Sequence, residues 1–167
     1  MVIPLPYQFL KTKGIKVIQI KSTLSEKDKK QVFSILEELS DYYSDFYITR
    51  NNIRLYIKEN IEILYKLLSN GDKVLFDEGG IAIIIGYSEK SPRKYVKILT
   101  KDEKMADKII KNINWTFSEE LYCKIKENNP LKNILLKNRW KYFGNRGKEI
   151  LLKRETLELV KKENRYA

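Results

Sequence analysis

Acid–base chemistry in this chain falls to carboxylates, tyrosines, lysines and one thiol, because its 167 residues include no histidine. That absence rules out Ser-His-Asp and Cys-His catalysis and every zinc site that needs imidazole, and no metal is expected. Cys123 is alone, so no disulfide forms within the chain. Two stretches concentrate the remaining chemistry. The first is Thr100-Lys101-Asp102-Glu103-Lys104-Met105-Ala106, between a strand-like run and a helical one. A helix start can hold a phosphate on its unpaired N–H groups. Asp102 and Glu103 favour the helix start by themselves and oppose an anion there. Lys101 and Lys104 offset that opposition only in part. The second stretch is the closing segment, where Lys137, Arg139, Lys141, Arg146, Lys148, Lys153 and Arg154 surround Trp140, Tyr142 and Phe143. Aromatics beside cations suit RNA or single-stranded nucleic acid. Strand alternation divides them, with Trp140 and Tyr142 on one face and Arg139, Lys141 and Phe143 on the other.

The elements that must position these groups follow from pattern. A chain of this length favours one domain over 1–167. Residues 1–13 read as an arm and 155–167 as a solvated helical tail. The hydrophobic fraction of 43% is ordinary for a globular protein. The longest apolar run, Ile81 to Ile85, is too short to span a bilayer. The first ten residues lack the basic start and long apolar core of a secretion signal, so a cytoplasmic location is expected, with no membrane partner. The net charge of +11 is uneven. Residues 1–87 carry 12 Lys/Arg against 11 Asp/Glu, and residues 88–167 carry 21 against 11. The second half therefore carries the positive field, which suits a phosphate-bearing partner.

Residues 14–21 are β-branched and read as a strand. Ser25 and Asp28 form a variant capping box for a helix with Val32, Leu36, Leu39 and Tyr43 on one face. The aromatic stretch 41–52 links to a second helix, with a stripe of Ile53, Ile57, Ile61, Leu64 and Leu68, ended by Asn70-Gly71. Residues 73–88 form a hairpin turning at Gly79-Gly80. Ile81 to Ile85 is apolar on both faces and so reads as a central strand. Lys94 to Thr100 is the next strand. A helix from about Asp102 to Asn114 buries Met105, Ala106, Ile109, Ile110 and Ile113. Leu121, Cys123 and Ile125 alternate on a further strand. Asn129-Pro130 opens a short helix, and a hairpin around residues 144–147 closes the domain.

This order, β-α-α-β-β-β-α-β-α-β-β, resembles the GNAT superfamily of acyl-CoA-dependent N-acyltransferases over about residues 15–154. The local match is best over residues 128–154. Asn128 stands at the family's Asn, Leu131 at its small residue, Ile134-Leu135 at its aliphatic–Tyr pair, and Arg139-Trp140 at its Gly-Phe. The resemblance implies a mixed α+β domain whose mostly antiparallel central sheet is flanked by helices. It implies acetyl-CoA or another acyl-CoA held between splayed fourth and fifth core strands. Ile98, Leu99 and Thr100 would hold the pantetheine arm. Lys101, Lys104, Met105 and Ala106 would meet the pyrophosphate, with Asn128 near the thiol. An acceptor amine would approach between the first two helices and the closing hairpin, past Tyr42, Tyr43, Phe46 and Tyr47.

The chain departs from the family in two places. The family's Arg/Gln-x-x-Gly-x-Gly/Ala turn is replaced by residues 100–106, which have no glycine. The proton-donating Tyr falls on Leu135. Tyr122 or Cys123 could replace that acid, and Glu78 or water could serve as base. The alternative is a catalytically inactive binding module on the same fold, with nucleic acid held through Arg139, Lys141, Arg146 and Lys148.

Overall fold

The seven-stranded sheet that organises this chain is built from two antiparallel halves joined at one parallel seam. A computed structural model describes residues 17–39, 46–57, 59–86 and 93–156. The elements run β1 (Ile20–Lys21), α1 (Glu26–Glu38), β2 (Tyr47–Arg50), β3 (Ile53–Tyr56), α2 (Glu62–Ser69), β4 (Lys73–Asp77), β5 (Gly80–Gly86) and β6 (Lys94–Thr100). They continue with α3 (Glu103–Thr116), β7 (Leu121–Lys126), α4 (Leu131–Lys137), β8 (Lys141–Arg146) and β9 (Glu149–Arg154). The large sheet is ordered β1-β4-β5-β6-β7-β9-β8 and is antiparallel except between β6 and β7. The mixed α+β architecture expected from sequence is therefore present.

Two apolar layers cover the sheet. Alternation sends Val96, Ile98, Leu121, Cys123, Ile125, Ile150 and Leu152 to one face, under α3 and α4. The other face presents Ile81, Ile83, Ile85 and Leu99 to α1, α2 and the β2–β3 hairpin. β5 is buried from Gly80 to Ile85, as its two-sided apolar run requires.

Local chemistry sets the boundaries. Ser25 caps α1, its hydroxyl accepting from the Asp28 N–H at 3.1 Å while the Asp28 carboxylate accepts from the Ser25 N–H at 3.0 Å. Lys21 binds the same carboxylate at 2.7 Å and, with the Ser25 amide, holds its pKa below the usual value. Gly71 ends α2 at φ 95. Pro130 is the N-cap of α4, and just before it the Asn129 side-chain oxygen accepts from the Leu131 N–H at 2.9 Å.

Three expectations need correction. Only Ile20–Lys21 of the first strand pairs with β4, while residues up to 16 lie outside the described part, as do most of the 155–167 tail and residues Tyr42 and Tyr43. Residues 53–56 are a strand, not the first turn of the second helix. Asn51 and Asn52 both take positive φ, 52 and 63, and turn the chain into a two-stranded ribbon. Ile53 is consequently exposed, and its match to a helical stripe was accidental. Finally, the turn after β4 is Glu78-Gly79, because Gly80 already pairs with Thr100 as the first residue of β5. Gly80 is required there for space: a Cβ would stand 2.6 Å from Ile109 Cδ1 and 2.7 Å from Met105 Cγ.

Candidate functional site

The parallel pair β6–β7 holds together over two positions only, Lys94 with Leu121 and Tyr95 with Tyr122. Each strand is fully occupied on its other side. β6 pairs with β5 over seven positions and β7 with β9 over six. Each half-sheet is therefore a continuous ladder, while the seam between them opens toward Thr100 and Lys126. A thin, extended group fits such a gap, because strand edges beyond the ladder have main-chain donors and acceptors to offer.

At the wide end of the seam stands the start of α3. Asp102 is its N-cap, its carboxylate accepting from the Met105 N–H at 2.8 Å. The Ala106 N–H goes to the Asp102 carbonyl at 3.1 Å, and the Lys101 N–H to the Gly79 carbonyl at 2.8 Å. The helix-start amides left by these bonds are those of Glu103 and Lys104. This turn therefore fits a pyrophosphate poorly. Its cap is an internal carboxylate, and Glu103 adds a second negative charge beside it. Lys101 and Lys104 are exposed and can contribute cations. Met105 packs over Gly80 on β5.

The remaining sequence candidates are scattered. Ile98, Leu99 and Thr100 are buried on β6 beside the seam, and Asn128 is exposed in the turn after β7. Glu78 is exposed at the β4–β5 turn. Cys123 is buried in the α3–α4 core layer. Leu135 is core, as an apolar side chain at that position should be. Tyr122 faces the opposite layer, where its hydroxyl donates to Glu120 and its ring meets Tyr95 at 5.8 Å and Phe143 at 5.7 Å. Burial first, then the bond to Glu120, push the Tyr122 hydroxyl up to about 12, so it keeps its proton. Because an unfolded tyrosine ionises nearer 10, stability should fall as pH rises from 10 to 12. Denaturant titrations across that range should show a shallower slope in Tyr122→Phe, and an unchanged slope would refute the assignment. Among the described residues, no three His, Cys, Asp or Glu side chains converge as a metal site. No described helix is long and apolar enough to cross a membrane.

The basic closing segment does not form one surface. Trp140 is buried and donates to Asn114 at 2.9 Å. Tyr142 and Phe143 are exposed, and Phe143 sits at a bulge between Tyr142 and Gly144. Phe143 packs with Tyr122 and Lys153 on the face opposite Tyr142, as alternation anticipates. Arg139, Lys141, Arg146 and Lys148 are exposed. Arg154 is not a surface cation. It is 2% exposed and donates to the carbonyls of Ile113 and Asn114 in the last turn of α3 and of Phe117 and Glu119 just beyond it. Arg139 has φ 72, a left-handed conformation at the position where the resemblance places glycine. Arg139→Gly should therefore stabilise the fold by about 1 kcal/mol in chemical denaturation. A loss of stability would show that the guanidinium holds the turn.

Sequence reasoning missed a polar cluster at the open end of the seam. Glu149, 8% exposed, begins β9 opposite Lys126. The Tyr47 hydroxyl donates to it at 2.5 Å and Arg54 at 3.3 Å. The buried ammonium of Lys97 on β6, a residue 6% exposed, stands 4.7 Å from the Tyr47 ring centre, and the Arg54 guanidinium 4.9 Å from it. Tyr47 thus bridges from β6 to β9 across the diverging strands. Its partners lie 102 and 50 positions away in the chain, so no local pattern could have joined them.

Neither a protein-family model nor a curated protein matches the sequence. Solved structures do match. An N-acetyltransferase from Staphylococcus aureus Mu50 superimposes with a TM-score of 0.57 at 16% identity, covering 84% of this chain and 98% of that one. The GNAT domain of S. lividans PAT gives 0.54 at 10% identity, covering 82% and 89%. The N-acetyltransferase PseH of Campylobacter jejuni in complex with acetyl coenzyme A gives 0.51 at 14% identity, covering 83% and 99%.

Proposed function

The chain carries the GNAT fold, and on that fold we propose that it is an N-acyltransferase, moving an acetyl or other acyl group from acyl-CoA to an amine. The single observation that carries this reading is the two-position ladder between β6 and β7. A parallel pair gains from every added rung. Leaving the seam open beside two complete half-sheets is explained by a guest. Ile98, Leu99 and Thr100 would hold the pantetheine arm along the β6 edge, and Asn128 would stand near the thiol. Lys101 and Lys104, with the amides from 103 to 106 in part already engaged, would meet the pyrophosphate. When bound, acyl-CoA supplies an activated thioester. The overall transfer forms one C–N bond, breaks one C–S bond and returns a proton to the thiolate.

The chain's own contribution is to exclude water and orient the amine. Phe46 and Tyr47 are buried on the acceptor side. Tyr122 holds its proton up to about 12 and Cys123 lies in the core layer, so the proton the thiolate gains is the one the amine loses as its C–N bond forms, relayed through water. A chain whose one cysteine is Cys123 suits a reducing, cytoplasmic setting.

Calorimetric titration with acetyl-CoA tests the reading directly. Saturable binding is expected, weakened by the acidic turn. Absence of binding at millimolar ligand would end it and leave the inactive binding module. That alternative predicts salt-dependent binding of labelled RNA or DNA through Arg139, Lys141, Arg146 and Lys148, read by fluorescence anisotropy.

A further inference from the structure

We propose that the chain recognises its acyl donor through the pantetheine arm alone, so that a thioester of pantetheine or phosphopantetheine, without the nucleotide, binds at least as well as acyl-CoA. This assignment rests on the acyltransferase reading and specifies its first substrate. The first argument is the state of the α3 turn. A phosphate at a helix start is held by N–H groups free to point at it. Here the Met105 N–H is taken by the Asp102 carboxylate at 2.8 Å, the Ala106 N–H by the Asp102 carbonyl at 3.1 Å and the Lys101 N–H by the Gly79 carbonyl at 2.8 Å. Two of the nearby cations are turned elsewhere. A Cβ on Gly79 would stand 2.5 Å from Lys101 Cδ and 2.8 Å from its Cε. The Lys101 stem therefore lies against the β4–β5 turn, on the side of β6 away from β7, and would have to leave it to reach a phosphate in the seam. Lys108 is drawn the same way, to Asp77 at the end of β4 at 2.9 Å. What remains for a nucleotide's phosphates is the amides of Glu103 and Lys104 and the Lys104 ammonium, beside the carboxylates of Asp102 and Glu103, which repel them.

The second argument is that the seam suits the arm and calls for no charge. Pantetheine is an extended, uncharged chain of amides. Beyond Tyr95 and Tyr122, the β6 and β7 edges that face each other carry main-chain donors and acceptors outside the ladder that joins them among the described residues. Such edges match amides as one strand matches another. β5 holds β6 from behind up to Thr100, and β9 holds β7 up to Lys126, so the arm meets edges already in place. The nucleotide of CoA is remote from the thioester and acts only through binding energy. The transfer is the same without it. The amine nitrogen attacks the thioester carbonyl, the C–N bond forms, the C–S bond breaks, and the proton lost by the amine ends on the pantetheine thiol. A free small thioester and an arm carried by an acidic protein share this chemistry. Arg146 and Lys148, exposed on the β8–β9 turn at the same end of the sheet as Lys126, give a carrier's acidic surface an attractive approach.

Calorimetry with acetyl-pantetheine and acetyl-CoA, each without an acceptor, decides the matter. The expected result is that both bind the parent at low salt and that acetyl-pantetheine binds at least as tightly. The Asp102→Ser/Glu103→Gln double variant should tighten acetyl-CoA about tenfold and leave acetyl-pantetheine unchanged, since only the former has phosphates to repel. An acetylated phosphopantetheinyl carrier protein is the third probe. With that ranking in hand, tighter binding of the carrier than of acetyl-pantetheine supports an arm presented by a protein, and equal or weaker binding supports a free thioester. The proposal is overturned if acetyl-CoA binds the parent more tightly than acetyl-pantetheine, or if the double variant tightens both alike. Those outcomes leave the acyltransferase reading standing, whereas failure of both thioesters to bind at millimolar concentration ends the reading and the proposal together.

Discussion

Replacing Arg154 with alanine should cost about 3–5 kcal/mol of folding stability, the largest single-site loss anticipated in this chain. Its guanidinium donates to four main-chain carbonyls, those of Ile113, Asn114, Phe117 and Glu119, at 2.5–3.3 Å. These lie at the last turn of α3 and just beyond it, where helix carbonyls lack internal partners and the dipole is negative. Burial, offset in part by Glu119, lowers the guanidinium's pKa to about 10, which leaves it charged at neutral pH. Alanine removes every donor at once and leaves buried acceptors unpaired. At the usual scaling for a chain of this size, the melting temperature should drop by about 10 °C. Arg154→Lys should recover only part, since an ammonium cannot reproduce the planar fork. Arg154→Met separates packing from hydrogen bonding. If methionine restores the parent's melting temperature, the carbonyl contacts contribute little and the explanation is wrong.

The second large effect concerns the α3 turn. Asp102→Ser keeps a capping oxygen for the Met105 N–H and removes the negative charge, and Glu103→Gln removes its neighbour's. Two charges cleared from beside a pyrophosphate, each worth roughly 1 kcal/mol at about 4 Å even with the screening of bulk water, should tighten acetyl-CoA binding by tenfold or more in the double variant. The gain should shrink as salt is raised, since exposed charges are screened. An unchanged affinity at low salt would mean that the donor's phosphates do not approach this turn. A parallel stability measurement guards against a trivial cause, because serine for aspartate at an N-cap is close to neutral.

Local interactions explain most of what could be read before any coordinates. The Ser25–Asp28 capping box, the Gly71 helix stop, the Asn129–Leu131 bond and the apolar face of α3 each join residues only a few positions apart. Period and turn chemistry act over just that range. The two-sided apolar run of β5 likewise announces a covered strand, and the order of elements points to the GNAT scaffold. Where the reading slipped, two local signals competed. Ile53, Ile57 and Ile61 matched a helical stripe, while Asn51-Asn52 favoured positive φ, and the ribbon won because hairpin pairing with β2 completes its hydrogen bonds.

Composition and short-range pattern established most of the helices and strands, though not the β2–β3 ribbon, together with the absence of imidazole chemistry and the acidic character of the α3 turn. They could not reveal the open seam, since the point where β6 and β7 separate depends on how tightly β5 and β9 hold the outer edges. Nor could they bring Tyr47, Lys97 and Glu149 together or turn Arg154 inward from an apparently basic surface. Those contacts join residues 35 to 102 positions apart, and their partners are chosen by packing across the whole sheet, a free energy that no local window contains.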